Sequence, residues 1–337
     1  MRAFVIEGPG RGAVREVEPP RARDGEVVVD VARVGLCGTD VELFSGQMAY
    51  FQTGETTYPV RIGHEWCGTV RAVGQGVDET WVGRRVTGDT MLGCGRCDRC
   101  TSGRQHLCAD RFEVGIRGGF PGALAEQLAV PATSLHALPD TIDDATGALV
   151  EPGGNAWRAV AAADVAAGER LLILGPGALG LLVGLMARAR GVEVHLVGRR
   201  EASIGFARSL RFDHVWSAST IPAGQFHVVI DASNAAELPA LAVELVEPGG
   251  RVVWIGLSGG PSLVDSRRVV LKDVTVVGIL SASPGLAGAL ELFASGRVDP
   301  SPLVAAVIGL DEVAGVLGGS RDSAWGDAPK VHVDPRR

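Results

Sequence analysis

Leu171-Leu172-Ile173-Leu174-Gly175-Pro176-Gly177-Ala178-Leu179-Gly180 is the stretch that decides the fold. Four apolar residues run into a glycine, the glycines fit G-x-G-x-x-G, and a helical pattern continues over 178–190. In a chain with 47 glycines the bare match arises by chance. A buried strand before it and a helix after it give the match its weight. In that setting the backbone can approach a pyrophosphate at a helix N-terminus, where free N–H groups and the helix dipole favour negative charge. Gly175, Gly177, Ala178, Leu179 and Gly180 are the expected contacts. A strand-to-helix turn without a ligand is the plain alternative, and the surrounding βαβ pattern argues against it.

Downstream, strands are expected at 192–197, 226–231, 250–255 and 274–278, with a helix at 235–246. Strands alternating with helices mean a parallel sheet covered on both faces, a doubly wound Rossmann domain. Its second strand ends at Val197-Gly198-Arg199-Arg200. NAD sites carry an acid there, bonded to the ribose hydroxyls. Here the acid is missing and two cations follow. An arginine can bind the 2′-phosphate of NADP with charge-assisted bonds of roughly 1.5–3 kcal/mol, enough for about a tenfold preference. Gly198, Arg199 and Arg200 therefore point to NADP(H); two solvated surface arginines are the alternative.

Upstream the character differs. Short β-branched runs at 27–31, 68–73 and 124–130 are separated by Gly, Pro and Asp, the pattern of an irregular β-barrel-like domain. Beyond about residue 280 a helix at 286–294 and a β tail at 330–333 are too small for a domain, and the tail is expected to pair back onto the N-terminal part. The expected division is 1–147 with 281–337, and 148–280.

A length of 337 residues suits two such domains. A net charge of −7 gains little from nucleic-acid phosphates, and no basic amphipathic stretch marks a membrane surface. Glu7 and Gly8 interrupt the N-terminal apolar run before it could form a signal segment. The expectation is a cytoplasmic protein without nucleic-acid or membrane partners.

Cys94-x2-Cys97-x2-Cys100-x7-Cys108 is the strongest motif. Four thiolates so spaced can close a tetrahedron around Zn²⁺ with no open position, a structural site. A second constellation is dispersed: Cys37 in Gly35-Leu36-Cys37-Gly38-Thr39-Asp40, and His64 with Glu65 in Gly63-His64-Glu65-Trp66. A cysteine, a histidine and a carboxylate can hold a metal and leave one position open. A small buried cysteine and a hydrogen-bonded core histidine are equally good readings of these residues taken singly.

In order, Cys37-Gly38-Thr39-Asp40, Gly63-His64-Glu65, the four-cysteine lobe, Glu151-Pro152, the turn from Gly175 to Gly180 and Asp231-Ala232-Ser233-Asn234 resemble the zinc-containing medium-chain dehydrogenases/reductases over essentially the whole chain. The resemblance implies a GroES-like β-barrel catalytic domain plus a Rossmann domain, with the active site in the cleft between them. It implies Cys37 and His64 as ligands of a catalytic zinc, Glu65 as a ligand or an exchanging near-ligand, Glu151 as bound to zinc directly or through water, and Thr39 as the group that exchanges a proton with the substrate oxygen. Asp40 would hydrogen-bond His64, and Ser233 would line the cofactor site.

Glu151, where simple alcohol dehydrogenases of the family place a cysteine, resembles the polyol branch of sorbitol, threonine, glucose and aminocyclitol dehydrogenases. The segment Arg61-Ile62-Gly63-His64-Glu65-Trp66-Cys67-Gly68 resembles the aminocyclitol enzymes. There are departures. Glu42 stands where many relatives carry a proton-relaying histidine, and its carboxylate either relays the proton or points into solvent; Gly153-Gly154-Asn155 follows Glu151-Pro152 where small apolar residues are usual. These glycines are expected to widen the pocket or to let Asn155 reach it. The polar-aromatic loop 46–58 is either a pocket wall or a surface loop.

The implied function is zinc-dependent hydride transfer between a secondary alcohol, of polyol, sugar or cyclitol type, or its ketone, and NADP(H), with two zincs per chain. The alternatives are an NADPH-dependent reductase of aldehydes or simple ketones, and an inactive member acting as a binding protein. Relatives assemble as homodimers or homotetramers through the edge strand of the Rossmann sheet, here 274–278.

Overall fold

The computed structural model describes residues 1–222 and 224–337. They fall into two compact units: Met1–Glu151 with Val304–Gly326 and Lys330–Arg337, and Pro152–Leu303 with Asp327–Pro329.

Along the first unit run β1 (Arg2–Gly8), β2 (Arg11–Glu16), β3 (Glu26–Gly35), β4 (Glu65–Val73), β5 (Arg85–Gly88), β6 (Met91–Leu92), β7 (Phe112–Glu113), β8 (Gln127–Pro131) and β9 (Leu135–Ala137). The second unit supplies β10 (Arg170–Leu174), β11 (Glu193–Gly198), β12 (His214–Ser217), β13 (Phe226–Asp231), β14 (Val246–Trp254) and β15 (Thr275–Gly278). The chain then returns through β16 (Val304–Ile308) and β17 (Lys330–Val333).

In the first unit the sheet order is β16-β17-β3-β4-β5-β9, with β8 paired to β3. Alternation along β3 buries Val27, Val29 and Val31, which join Phe4, Ile6, Leu43, Ile62, Trp66 and Leu128 in one core. The expected strand at 124–130 begins only at Gln127. The Leu124 carbonyl accepts from Phe4 N at 2.8 Å and Ala125 bridges to Ala3, so those residues serve β1 instead. The tail 330–333 pairs with β3 as expected, His332 opposite Gly35.

The second unit is the doubly wound sheet, all parallel, in the order β12-β11-β10-β13-β14-β15. This is the arrangement in which the strand order reverses beside the first strand, here between β10 and β13. Leu171 to Leu174 are fully buried. The helix expected at 235–246 is Leu238–Leu245: Pro239 fits a first turn, and Ser233 Oγ takes the N–H of Ala235 in a turn ahead of it.

The domain limits differ from expectation. The helix Leu286–Ala294, placed by the sequence in the catalytic domain, belongs to the second unit. Gly153 and Gly154 explain this. A Cβ on Gly153 would stand 2.8 Å from the Phe293 ring, and one on Gly154 would stand 2.9 Å from Ala282 Cβ. These two glycines let the helix Val150–Ala163 close onto 282–293. Their bare surfaces are used for packing, not for widening a pocket. The front boundary falls inside that helix, after Glu151. No helix among the described residues is long and apolar enough to cross a membrane.

Candidate active site

In the four-cysteine lobe, the sulfur atoms of Cys94, Cys97, Cys100 and Cys108 lie within 4.8 Å of one another. Three of the separations are 4.0 Å (Cys94–Cys100), 3.5 Å (Cys97–Cys100) and 3.8 Å (Cys97–Cys108). A tetrahedron with Zn–S bonds of about 2.3 Å has edges of about 3.8 Å, so the lobe has the size of a closed zinc site. Gly93 belongs to the design: a side chain there would run into Cys100 Sγ. Backbone N–H groups of Arg96 and Cys97 pull the Cys94 thiol down to about 6, toward the thiolate a metal needs.

The second constellation also assembles. Cys37 is the N-cap of the helix Gly38–Ser45, and its N–H donates to Asp40 Oδ2 at 2.9 Å. This capping pair ties the loop after β3 to the first helical turn and presents the thiol beside His64. One donor atom each from Cys37, His64 and Glu65 lies within 4.8 Å of the others, a soft, a borderline and a hard ligand at metal-binding separation. Glu151 stands outside this tight group but is buried, and Thr90 Oγ1 donates to its Oε1 at 3.3 Å.

Burial pushes the Glu151 carboxyl up to about 7 against the pull of His64, with Glu65 adding to the rise. Burial also acts against the Glu65 carboxylate, yet Lys330 and then His64 hold it below its ordinary range. His64 Nδ1 faces Asp40 Oδ1 at 3.7 Å, longer than the hydrogen bond the resemblance implied. Asp40 is fully buried and aims its charge at the imidazole, which leaves Nε2 for a ligand role.

Thr39 lies in the first turn of the same helix, partly exposed. Glu42, one turn on, is half-buried, and burial raises its carboxyl above the ordinary value. The loop 46–58 is pinned down. Tyr50 donates to Glu113 Oε1 at 3.1 Å, Phe51 stacks on Tyr58 at 4.4 Å, and Arg117 pairs with Glu55. Glu113 is followed by Val114, whose N–H donates to Thr90 O at 2.9 Å. The loop is thus tied, through β7, to the residue that bonds Glu151.

Sequence reading missed two residues here. Thr90 bonds Glu151, and Lys330 donates to both Glu65 oxygens at 2.5 Å each. Neither has a sequence signal: a threonine after an aspartate, and a lysine opening a β tail, look like surface residues until their partners are placed.

In the second unit the glycine turn is built for close approach. Gly175 has φ +98°, open to glycine at little cost. A Cβ on Gly180 would overlap the Gly175 carbonyl, while Gly177, the N-cap of the helix Ala178–Arg188, has nothing within 4 Å of the Cβ position. That space lies at the helix N-terminus, beside exposed N–H groups. Ser233 packs 3.0 Å from the Cβ position of Gly175, at the end of the neighbouring strand. Gly198 ends β11 against Pro176. Arg199 and Arg200 follow, both exposed and in no ion pair with a described residue.

A third group, Glu193, His195 and His214, also brings donor atoms within 4.8 Å. Trp216 Nε1 donates to His195 Nδ1 at 3.2 Å, which places the ring proton on Nε2, 2.8 Å from Glu193 Oε1. That nitrogen has no lone pair left for an ion, and the group reads as a hydrogen-bonded edge of the sheet.

Residues 23–140 match the alcohol dehydrogenase GroES-like domain, and residues 178–295 match the zinc-binding dehydrogenase domain. The L-threonine 3-dehydrogenase of Deinococcus radiodurans is 31% identical over 292 residues, 83% of this chain and 82% of that protein. Among solved structures, a zinc-binding dehydrogenase of Sinorhizobium meliloti 1021 bound to NADP is 29% identical with a TM-score of 0.89, covering 99% of each chain. An alcohol dehydrogenase of Escherichia coli CFT073 complexed with NADH is 25% identical with a TM-score of 0.90, again over 99% of each chain. With a GroES-like unit, a Rossmann unit and both cysteine constellations in place, this chain belongs to the zinc-containing medium-chain dehydrogenase/reductase family, as an oxidoreductase of the alcohol dehydrogenase type.

Proposed function

We propose that the protein oxidises a secondary alcohol of polyol, sugar or cyclitol type, or reduces the corresponding ketone, with NADP(H) as the preferred cofactor. The observation that carries this reading is the convergence of Cys37, His64 and Glu65, with Glu151 buried beside them, in a chain whose second Rossmann strand is followed by Arg199-Arg200.

When bound, zinc supplies Lewis-acid polarisation of the substrate oxygen and the nicotinamide supplies or accepts the hydride. The residues do the rest. Cys37, His64 and a carboxylate hold the metal, and Asp40 sets the His64 ring. Thr39 exchanges the hydroxyl proton with the substrate oxygen. Glu42 relays that proton toward solvent, its carboxyl raised by burial into a better position for transfer. The glycine turn holds the pyrophosphate, and Arg199 with Arg200 holds the 2′-phosphate.

The Deinococcus radiodurans relative is an L-threonine 3-dehydrogenase, and the 3-hydroxyl of L-threonine is a secondary alcohol, so hydroxy amino acids belong in the substrate panel. The test is turnover of zinc-loaded protein on polyols, aldoses, cyclitols, L-threonine and simple alcohols, each with NADP and NAD, in both directions. Activity on a polyhydroxylated substrate with NADP is the expected result. Activity confined to simple alcohols or aldehydes would move the assignment to a reductase of simple carbonyls.

A further inference from the structure

Lys330 opens β17, the last strand, and is 4% exposed. An ammonium has three donors and no acceptor. Here all three are spent: Leu36 O accepts at 3.1 Å, and Glu65 Oε1 and Oε2 accept at 2.5 Å each. Leu36 immediately precedes Cys37, so the lysine grips the backbone next to one metal-site residue and the side chain of another.

The sheet makes room for this grip. Gly35 sits in one row between His332 of β17 and Glu65 of β4. A Cβ on Gly35 would overlap Glu65 Oε2. The bare middle position is a groove through which the carboxylate leans across β3 toward Lys330. The same carboxylate lies within 4.8 Å of the donor atoms of Cys37 and His64. It has two claimants, the ammonium and the metal site.

Charge counting gives the second argument. Cys37, Asp40, Glu65 and Glu151 set four acidic groups around one divalent cation. Lys330 is the buried ammonium that offsets negative charge among them. A buried cluster with a net negative charge is costly, and it opposes development of further negative charge on a substrate oxygen.

We propose that Lys330 is a positioning residue for the reaction: by holding both oxygens of Glu65 it keeps that carboxylate from becoming a permanent metal ligand, and so preserves the position that substrate must occupy. The inference rests on the reading of Cys37 and His64 as the catalytic metal site.

The test replaces the metal at the Cys37–His64 site alone with Co²⁺, leaving zinc in the four-cysteine lobe, and records the visible spectrum, the affinity by chelator competition, and steady-state rates. The variants are Lys330→Met, Lys330→Met with Glu65→Gln, Lys330→Arg, and Gly35→Ala. With Lys330→Met, Glu65 is released to the metal. The Co²⁺ bands weaken as coordination number rises, the ion is held at least about tenfold more tightly, and kcat falls about tenfold or more with KM little changed. Adding Glu65→Gln returns the spectrum toward that of the parent and recovers most of the loss relative to Lys330→Met alone. Lys330→Arg keeps the charge and the parent spectrum.

Should Lys330→Met fail to fold, Gly35→Ala makes the same prediction with every charge retained, because its methyl drives the carboxylate out of the groove. A parent-like spectrum and affinity in whichever of these two variants folds overturns the proposal. So does a double variant no faster than Lys330→Met. Cys37→Ser separates the two readings. If it leaves the Co²⁺ spectrum unchanged, the metal-site assignment falls and the inference with it. If it changes the spectrum while Lys330→Met does not, the inference alone falls.

Discussion

Thr39 stands two residues from Cys37 on the same helical turn, and its hydroxyl is the group assigned to the substrate proton. Thr39→Val keeps the shape and removes the hydroxyl. It is expected to lower kcat by about 10²–10⁴-fold, the usual contribution of a positioned proton-transfer group, with thermal stability little changed. Glu42 is testable by pH. Burial raises its carboxyl, so it stays protonated to a higher pH than an exposed glutamate. A relay that needs the carboxylate to accept a proton loses rate in the oxidative direction as pH falls through that raised value. Glu42→Gln should lower kcat and abolish this acid limb; an unchanged limb would assign it to another group. At the other cofactor end, replacing Arg199 and Arg200 with alanine should lower kcat/KM for NADP about tenfold or more while leaving NAD within a few-fold. An equal loss for both cofactors would remove the phosphate role.

At the scale of elements, the strand-turn-helix at 170–188 was legible because three signals agree there: continuous burial, glycine spacing, and a helix starting on cue. The tail 330–333 and the helix 286–294 were also read at their true limits, yet the domain of the helix was misread, since membership depends on the small-residue contact at Gly153 and Gly154. The strand β12 escaped notice because His214 to Ser217 is short and half polar. The metal residues could be read as ordered motifs, while Lys330 and Thr90 could not, because a buried lysine is marked only by the acid it meets in space. The four-cysteine lobe gives a sharp prediction at this scale. A zinc bound there would hold together a segment with little regular structure, so Cys100→Ser should remove one zinc per chain and lower Tm by several degrees. Gly180→Ala should weaken the turn as well, because its methyl meets the Gly175 carbonyl. Reduced affinity for both NADP and NAD, read by fluorescence titration, is the expected outcome.

For the whole molecule, the outer strand β15 has no partner on one side among the described residues. Leu263 is 91% exposed, Leu271 84% and Val270 77%, in the segment that leads into it. Open strand edges and grouped apolar side chains mark association surfaces, and we propose that a second copy pairs here to give a homodimer or homotetramer. Light scattering should show more than one chain per particle, and Val270→Glu with Leu271→Glu should shift it toward monomer. The division of labour between the units is the core of the account: one carries the two groups proposed to bind zinc, the other the dinucleotide turn. Zinc content per chain, measured together with turnover in the parent and in Cys37→Ala, tests this most directly. The account predicts two zincs in the active parent and one in Cys37→Ala, with turnover reduced about 10³-fold or more and the fold intact. A Cys37→Ala protein that retains two zincs and full turnover would contradict it.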